Sequence, residues 1–118
     1  MHISTAPLDG ASLVTIDGEF LGALGGPALR ETVDTLINER RYRVVLDLRH
    51  CALMDSAGLG VLIESATALR DRGGDLRVAV REGRLRRLFT MTGLLGRVFA
   101  VYPTVEDAVD GWDVGSGD

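Results

Sequence analysis

Apolar residues recur along this chain in two rhythms. Ile3 to Leu8 and Leu13 to Ile16 form short runs that read as strands, and Asp9-Gly10 between them is a hairpin-type turn signal. Gly18 is expected to end the second strand. Val44-Val45-Leu46 is a compact, mostly β-branched run, which predicts a buried central strand. Leu76 to Val80 and Val98 to Tyr102 predict two more. Between these runs the spacing becomes helical. Leu29, Val33, Leu36 and Ile37 recur on one face and predict a helix from Pro27 to Arg40, with Pro27 in its first turn. Gly22 to Pro27 (GALGGP) accordingly reads as a glycine-rich loop, and His50 to Asp55 as a connection. Leu59, Leu62, Ile63, Ala66 and Leu69 predict a second helix from Ser56 to Arg72, stopped by Gly73-Gly74. Leu85, Leu88 and Phe89 mark a short third helix ending near Gly93. Pro103 breaks the last strand, Thr104 caps a terminal helix over Val105 to Val109, and Gly111 to Asp118 is expected to be loose.

The resulting order is β-β-α-β-α-β-α-β-α. Strands alternating with helices predict an α/β fold with a mostly parallel or mixed central sheet of about five strands and about four helices. A length of 118 residues suits one domain, placed at residues 1–110 with a tail at 111–118. With 46% hydrophobic and 25% charged residues, the chain is expected to fold and not to remain disordered.

Composition narrows the function classes. No run of about 18 apolar residues predicts a membrane span, and the first ten residues lack the pattern of a signal peptide. With a single cysteine, Cys51, no internal disulfide can form, and a cytoplasmic location is expected. The net charge of −4 argues against direct nucleic-acid binding. All 13 basic residues are arginine. The absence of lysine excludes a P-loop lysine, a Schiff base and a lysine general base.

One stretch, Val44 to Ile63 (VVLDLRHCALMDSAGLGVLI), carries the most information. A buried strand leads through a short loop to Asp55-Ser56, where a helix begins at once. Asp or Ser at such a point is the common N-cap choice, worth about 1 kcal/mol. Ala57, Gly58 and Gly60 follow, although each helical glycine costs about 1 kcal/mol against alanine. Small residues there are expected to leave a bare helix start with accessible amides that a second surface can approach closely. Phosphorylation of Ser56 would add about −1.5 to −2 charge at that point, beside Asp55. Gly58→Arg is expected to obstruct close approach while leaving the fold intact.

The run LDLRHCALMDSAGLGVLI resembles the signature of the STAS family of anti-sigma factor antagonists, in which a strand and an apolar loop precede D-S-[ST/A]-G-[LI]-G. Gly18-Glu19 matches the start of that family's G-E-[LI]-D turn, and Leu85 to Val98 (LRRLFTMTGLLGRV) resembles its third helix and following turn. The resemblance spans about Ile3 to Val109. It implies a protein that binds an anti-sigma factor, often a serine kinase with a histidine-kinase-like ATP site, and so frees a sigma factor for transcription. It implies Ser56 as phosphoacceptor and a partner-binding surface of Asp55, Ser56, Ala57, Gly58, Leu59 and Gly60, flanked by Glu19 and Leu21. It implies no enzymatic activity and no cofactor, and leaves open a monomer or a weak dimer. Leu21 stands where the family turn has aspartate. That departure supports an alternative: a STAS-type regulatory or sensor subunit of another signalling or transport complex, not phosphorylated.

Other candidates weigh less. Ser56, His50 and Asp47 could be imagined as a hydrolytic triad, but the nucleophile elbow G-x-S-x-G has Met54 at its first glycine. Cys51 reads as a buried, inert thiol. His2 and His50 with one cysteine cannot close a zinc site without carboxylates. The Gly22 to Pro27 segment lacks the G-K-[ST] or G-x-G-x-x-G of a phosphate cradle. Asp47 reads as a loop-facing acid. Arg81, Arg84, Arg86 and Arg87 read as a solvated face with a minor role in holding an acidic partner.

Overall fold

The structure, a computed structural model, describes residues 1–91, 100–110 and 112. Its first hairpin follows the expected pattern. Strand β1 (His2–Leu8) pairs antiparallel with β2 (Ala11–Phe20), from Leu8 opposite Ala11 to His2 opposite Asp17. Gly10 takes φ +75° in the turn, a conformation that favours glycine. Strand β2 does not stop at Gly18. That residue adopts φ +87° and marks a shift of register, and the strand continues to Phe20. A glycine in a strand often marks such a bulge, because the extra residue needs a backbone geometry that side chains resist.

The bulge lets one strand serve two neighbours. Ser12 to Thr15 pair with β3 (Arg43–Asp47), whereas Gly18 to Phe20 pair with β4 (Cys51–Met54). The segment His50 to Asp55, expected as a plain connection, therefore contains a fourth strand. Strand β5 (Asp75–Ala79) adds parallel to β3, and β6 (Ala100–Tyr102) adds parallel to β5. The main order is β1-β2-β3-β5-β6, so each parallel crossover steps in one direction. Right-handed crossovers then place the connecting helices α1 (Gly22–Asn38), α2 (Ser56–Arg70) and α3 (Arg84–Met91) on the same face. Helix α4 (Val105–Val109), capped by Thr104, lies on the opposite face.

Alternation along the strands fills both faces. Val14, Ile16, Val44, Leu46, Leu76 and Val78 join Leu29, Val33, Leu62 and Leu69 from the helices in the main core. Val45 and Ala79 point the other way, against Val105 and Ala108. Each of these valine, leucine and isoleucine side chains, fully buried, contributes about 1.5–3 kcal/mol. The third helix and last strand are present as expected. Gly93, Val98 and Phe99 lie outside the described residues, as do Gly111 and residues 113–118 of the expected loose tail. Trp112 within that tail is packed: the Arg77 guanidinium stacks 4.0 Å from its ring centre.

Helix α1 corrects the reading of GALGGP as a loop. It begins at Gly22, and Pro27 lies inside it. Gly22, Gly25 and Gly26 are buried and continue the inward stripe of Leu29, Val33 and Leu36 toward the N-terminus. A Cβ on Gly22 would fall 2.3 Å from the Ala57 carbonyl carbon, and one on Gly26 would fall 3.1 Å from Val61 Cγ2. These glycines are the condition for α1 and α2 to lie close together. Their propensity cost and the helical bond lost at Pro27 are offset by that packing.

Candidate docking surface around Ser56

Strand β4 delivers the chain to Asp55, whose extended backbone (φ −93°, ψ 176°) sets it as the N-cap of α2. Asp55 Oδ1 accepts from the Gly58 amide at 2.7 Å and from the Gly22 amide at 2.9 Å. One carboxylate oxygen thus joins the starts of both long helices. The Gly22 amide, and with it the Gly58 amide, holds the Asp55 carboxyl below its ordinary range, since both bonds favour the charged form. The helix start is therefore capped, not bare as expected. The amides of Ser56 and Ala57 remain without a bonding partner among the described residues.

The predicted site residues divide into two sets. Asp55, Ser56, Ala57 and Glu19 are exposed, and Leu21 and Gly60 are half-buried. The Ser56 hydroxyl makes no hydrogen bond among the described residues. A Cβ at Gly60 would meet open space. Gly58 and Leu59 instead face inward. A Cβ on Gly58 would stand 2.8 Å from the Phe20 carbonyl oxygen and 3.0 Å from Met54 Cγ. Gly58 is therefore a packing residue, and an arginine there would destabilise the fold, contrary to the expectation that it leaves the fold undisturbed, because its Cβ already crowds the Phe20 carbonyl and the Phe20 and Met54 side chains.

Strand pairing brings Glu19 beside Leu53 and Phe20 beside Met54. Around this join stand side chains that the sequence reading did not select. Met1, Leu24, Leu53 and Met91 are the exposed large apolar residues among those described, with Leu24 at 80% and Met91 at 83% exposure. Met1 and Leu24 border a hollow of about 370 Å³ with Glu19 and Leu21. Leu53 and Met91 border a second of about 300 Å³ between β4 and α3. The first is lined by Leu21, which precedes the Gly22 bonded to Asp55, and the second by Met54, which precedes Asp55. The signal for Leu24 was within reach: once Gly22, Gly25 and Gly26 are placed on the inward stripe, Leu24 falls off it.

The lesser candidates are placed apart from this surface. Asp47 is buried, not loop-facing. Its two oxygens accept from Arg49 Nε and Nη2 at 2.9 and 3.0 Å, and Oδ1 also accepts from the Arg49 amide at 3.0 Å. Burial raises its pKa, but the Arg49 side-chain and amide bonds outweigh that, and the carboxyl lies below its ordinary range. Asp47 is thus committed to Arg49, and no hydrogen bond joins it to His50 or His50 to Ser56. Cys51 is buried, and burial pushes its thiol upward. Among the described residues, no group of three or more His, Cys, Asp or Glu could hold a metal, and no helix is long and apolar enough to cross a membrane.

Residues 2–108 match the STAS domain family, most of the chain and every predicted site residue around Ser56. The chain belongs to the STAS domain family. This STAS domain is 36% identical over 81 residues to the anti-sigma-B factor antagonist of Bacillus subtilis, covering 69% of this chain and 72% of that protein. It is 29% identical over 102 residues to the anti-sigma F factor antagonist of Paenibacillus polymyxa, covering 86% and 83%. The crystal structure of an anti-sigma factor antagonist from Mycobacterium paratuberculosis superposes with a TM-score of 0.81 at 28% identity, covering 93% of this chain and 92% of that one.

Proposed function

We propose that this STAS domain is an anti-sigma factor antagonist. It docks an anti-sigma factor, a kinase-like protein, through the surface around Ser56, and phosphorylation of Ser56 switches it off, regulating sigma-factor-dependent transcription. The carrying observation is that Ser56 is exposed, its hydroxyl makes no hydrogen bond among the described residues, and it follows Met54 and Asp55, the first lining one apolar hollow and the second bonded to the Gly22 amide next to Leu21, which lines the other. The contacting set is Glu19, Leu21, Asp55, Ser56, Ala57 and Gly60, extended by Leu24 and Leu53, while Gly58 and Leu59 support it from beneath. The names of the relatives support the antagonist role.

The switch follows from charge. A phosphoserine at residue 56 adds about −1.5 to −2 charge beside the Asp55 carboxylate. Within the free protein the helix start tolerates that charge. A docked partner would have to strip water from a dianion against an apolar patch, which is strongly unfavourable. No enzymatic step by this chain is involved.

The test is titration of a kinase-like anti-sigma factor with native protein, Ser56→Ala and Ser56→Glu. Native and Ser56→Ala should bind alike, and Ser56→Glu at least about tenfold more weakly, or about 1.4 kcal/mol. Equal binding by all three removes the switch. Leu21, in place of the family's aspartate, favours the second reading, an unphosphorylated regulatory subunit of another complex. Incubation with the kinase and ATP followed by mass spectrometry separates the two, because that reading predicts no phosphate on Ser56.

A further inference from the structure

The groove between β4 and α3 sits beside the Ser56 surface and has a composition of its own. Ala52, Leu53, Met54, Leu85, Leu88 and Met91 make it apolar, and Arg84 and Arg87 stand on its rim. Positions 84, 87, 88 and 91 fall on one face of α3, so the charged rim and apolar floor come from a single helical stripe. Arg81, Arg84, Arg86 and Arg87 form no ion pair among the described residues. Even with Glu82 among them, that is a local cationic run on a chain whose net charge is −4. Apolar patches rimmed by polar residues mark interaction sites, and this one includes an 83% exposed methionine.

We infer that this groove takes an acidic segment of the anti-sigma partner, with an apolar side chain of that segment seated between Leu53, Leu88 and Met91 and its carboxylates on Arg84 and Arg87. The occupant's class follows from charge complementarity: a basic segment would be repelled by the exposed Arg84 and Arg87, and a neutral one would leave their charge unused. Apolar anchoring supplies contact area, and the arginine rim sets orientation and selects against cationic partners. The identity of the partner rests on the function proposed above. The acidic character of the occupant rests on the groove alone. It also agrees with the switch, since an acidic partner segment is repelled by a phosphate on the neighbouring tip.

The test uses the full chain and a kinase-like anti-sigma factor. Arg84→Glu with Arg87→Glu reverses the rim, and Met91→Asp breaks the apolar floor. All three residues are exposed, so circular dichroism should show the fold intact. Rim reversal should weaken binding at least about tenfold, and native binding should weaken with added salt more steeply than that of the reversed variant. Met91→Asp should also weaken it. If Ser56→Glu loses affinity while rim reversal changes it less than about twofold, the groove inference is overturned and the proposed function stands. If native protein fails to bind the anti-sigma factor at all, the proposed function falls. The groove is then tested by NMR with a synthetic amphipathic Leu/Glu peptide and its Leu/Arg twin. Shifts at Leu53, Leu88 and Met91 with the Glu peptide alone support the inference. Equal shifts with both peptides, or none at the groove, overturn it.

Discussion

Alanine at Gly58 and alanine at Gly60 should move stability in opposite directions. The two positions lie in one helix, two residues apart, and both carry the propensity cost of glycine, up to about 1 kcal/mol each. At Gly60 an added Cβ meets nothing within 4 Å, so Gly60→Ala should recover most of that cost. At Gly58 the added Cβ would lie 2.8 Å from the Phe20 carbonyl oxygen and 3.0 Å from Phe20 Cδ2. Phe20 is wholly buried and belongs to β2, so it cannot rotate away. Overpacking of this kind costs about 1–3 kcal/mol, which exceeds the propensity gain and leaves Gly58→Ala destabilised by about 1 kcal/mol. The two variants should then differ by about 2 kcal/mol, or roughly 8 °C in Tm for a chain of this size. Thermal unfolding followed by circular dichroism reads this directly. If both variants rise together, the glycines serve to open the helix tip, and the packing explanation of Gly58 is refuted.

Other outcomes follow from single contacts. Asp47 and Asp55 both titrate lower in the folded than in the unfolded chain, so between the two values the unfolded chain binds more protons and is favoured as pH falls. Their contribution is complete above the unfolded value of about 4 and is lost as pH drops through the folded values. Tm measured against pH should fall more shallowly below about pH 5 in Asp47→Asn, and an unchanged slope would contradict the buried Asp47–Arg49 pair. Arg77 Nη1 donates to the carbonyls of Ala108 and Asp110 at 2.8 and 3.2 Å while its guanidinium covers Trp112. Arg77→Ala should cost about 1–2 kcal/mol and shift the fluorescence of Trp112, the one tryptophan of the chain, toward the red. An unshifted spectrum would show that Arg77 does not hold the C-terminal segment.

What could be read from the chain was local. The start of α2 at Ser56, the Thr104 cap and the Gly73-Gly74 stop depend on neighbours in sequence, and the structure shows each of them. Gly73 takes φ +85°, and the Gly74 amide donates to the Leu69 carbonyl at 2.9 Å, closing the helix end. What escaped depends on distant partners. Glycines at 22, 25 and 26 with Pro27 carry every local mark of a loop, yet contacts with Phe20, Ala57 and Val61 make them a helix. Cys51 to Met54 is too short to announce a strand, and it becomes one because β2 bends at Gly18 to receive it. Gly58 was read as clearing the helix tip, when its missing side chain makes room for Phe20 from below. For the site, the exposed Ser56 and Asp55 were legible as a helix start. The apolar patches beside them were not, because Leu24, Leu53 and Met91 come from three separate elements.

Hydrogen exchange of this chain, free and bound to a kinase-like anti-sigma factor, tests the docking surface most directly. Amides of residues 19–25, 53–60 and 84–91 should slow on binding, and those of β1 and α4 should not change. Protection confined to β1 or α4, with the Ser56 region exchanging as in the free protein, would contradict the account.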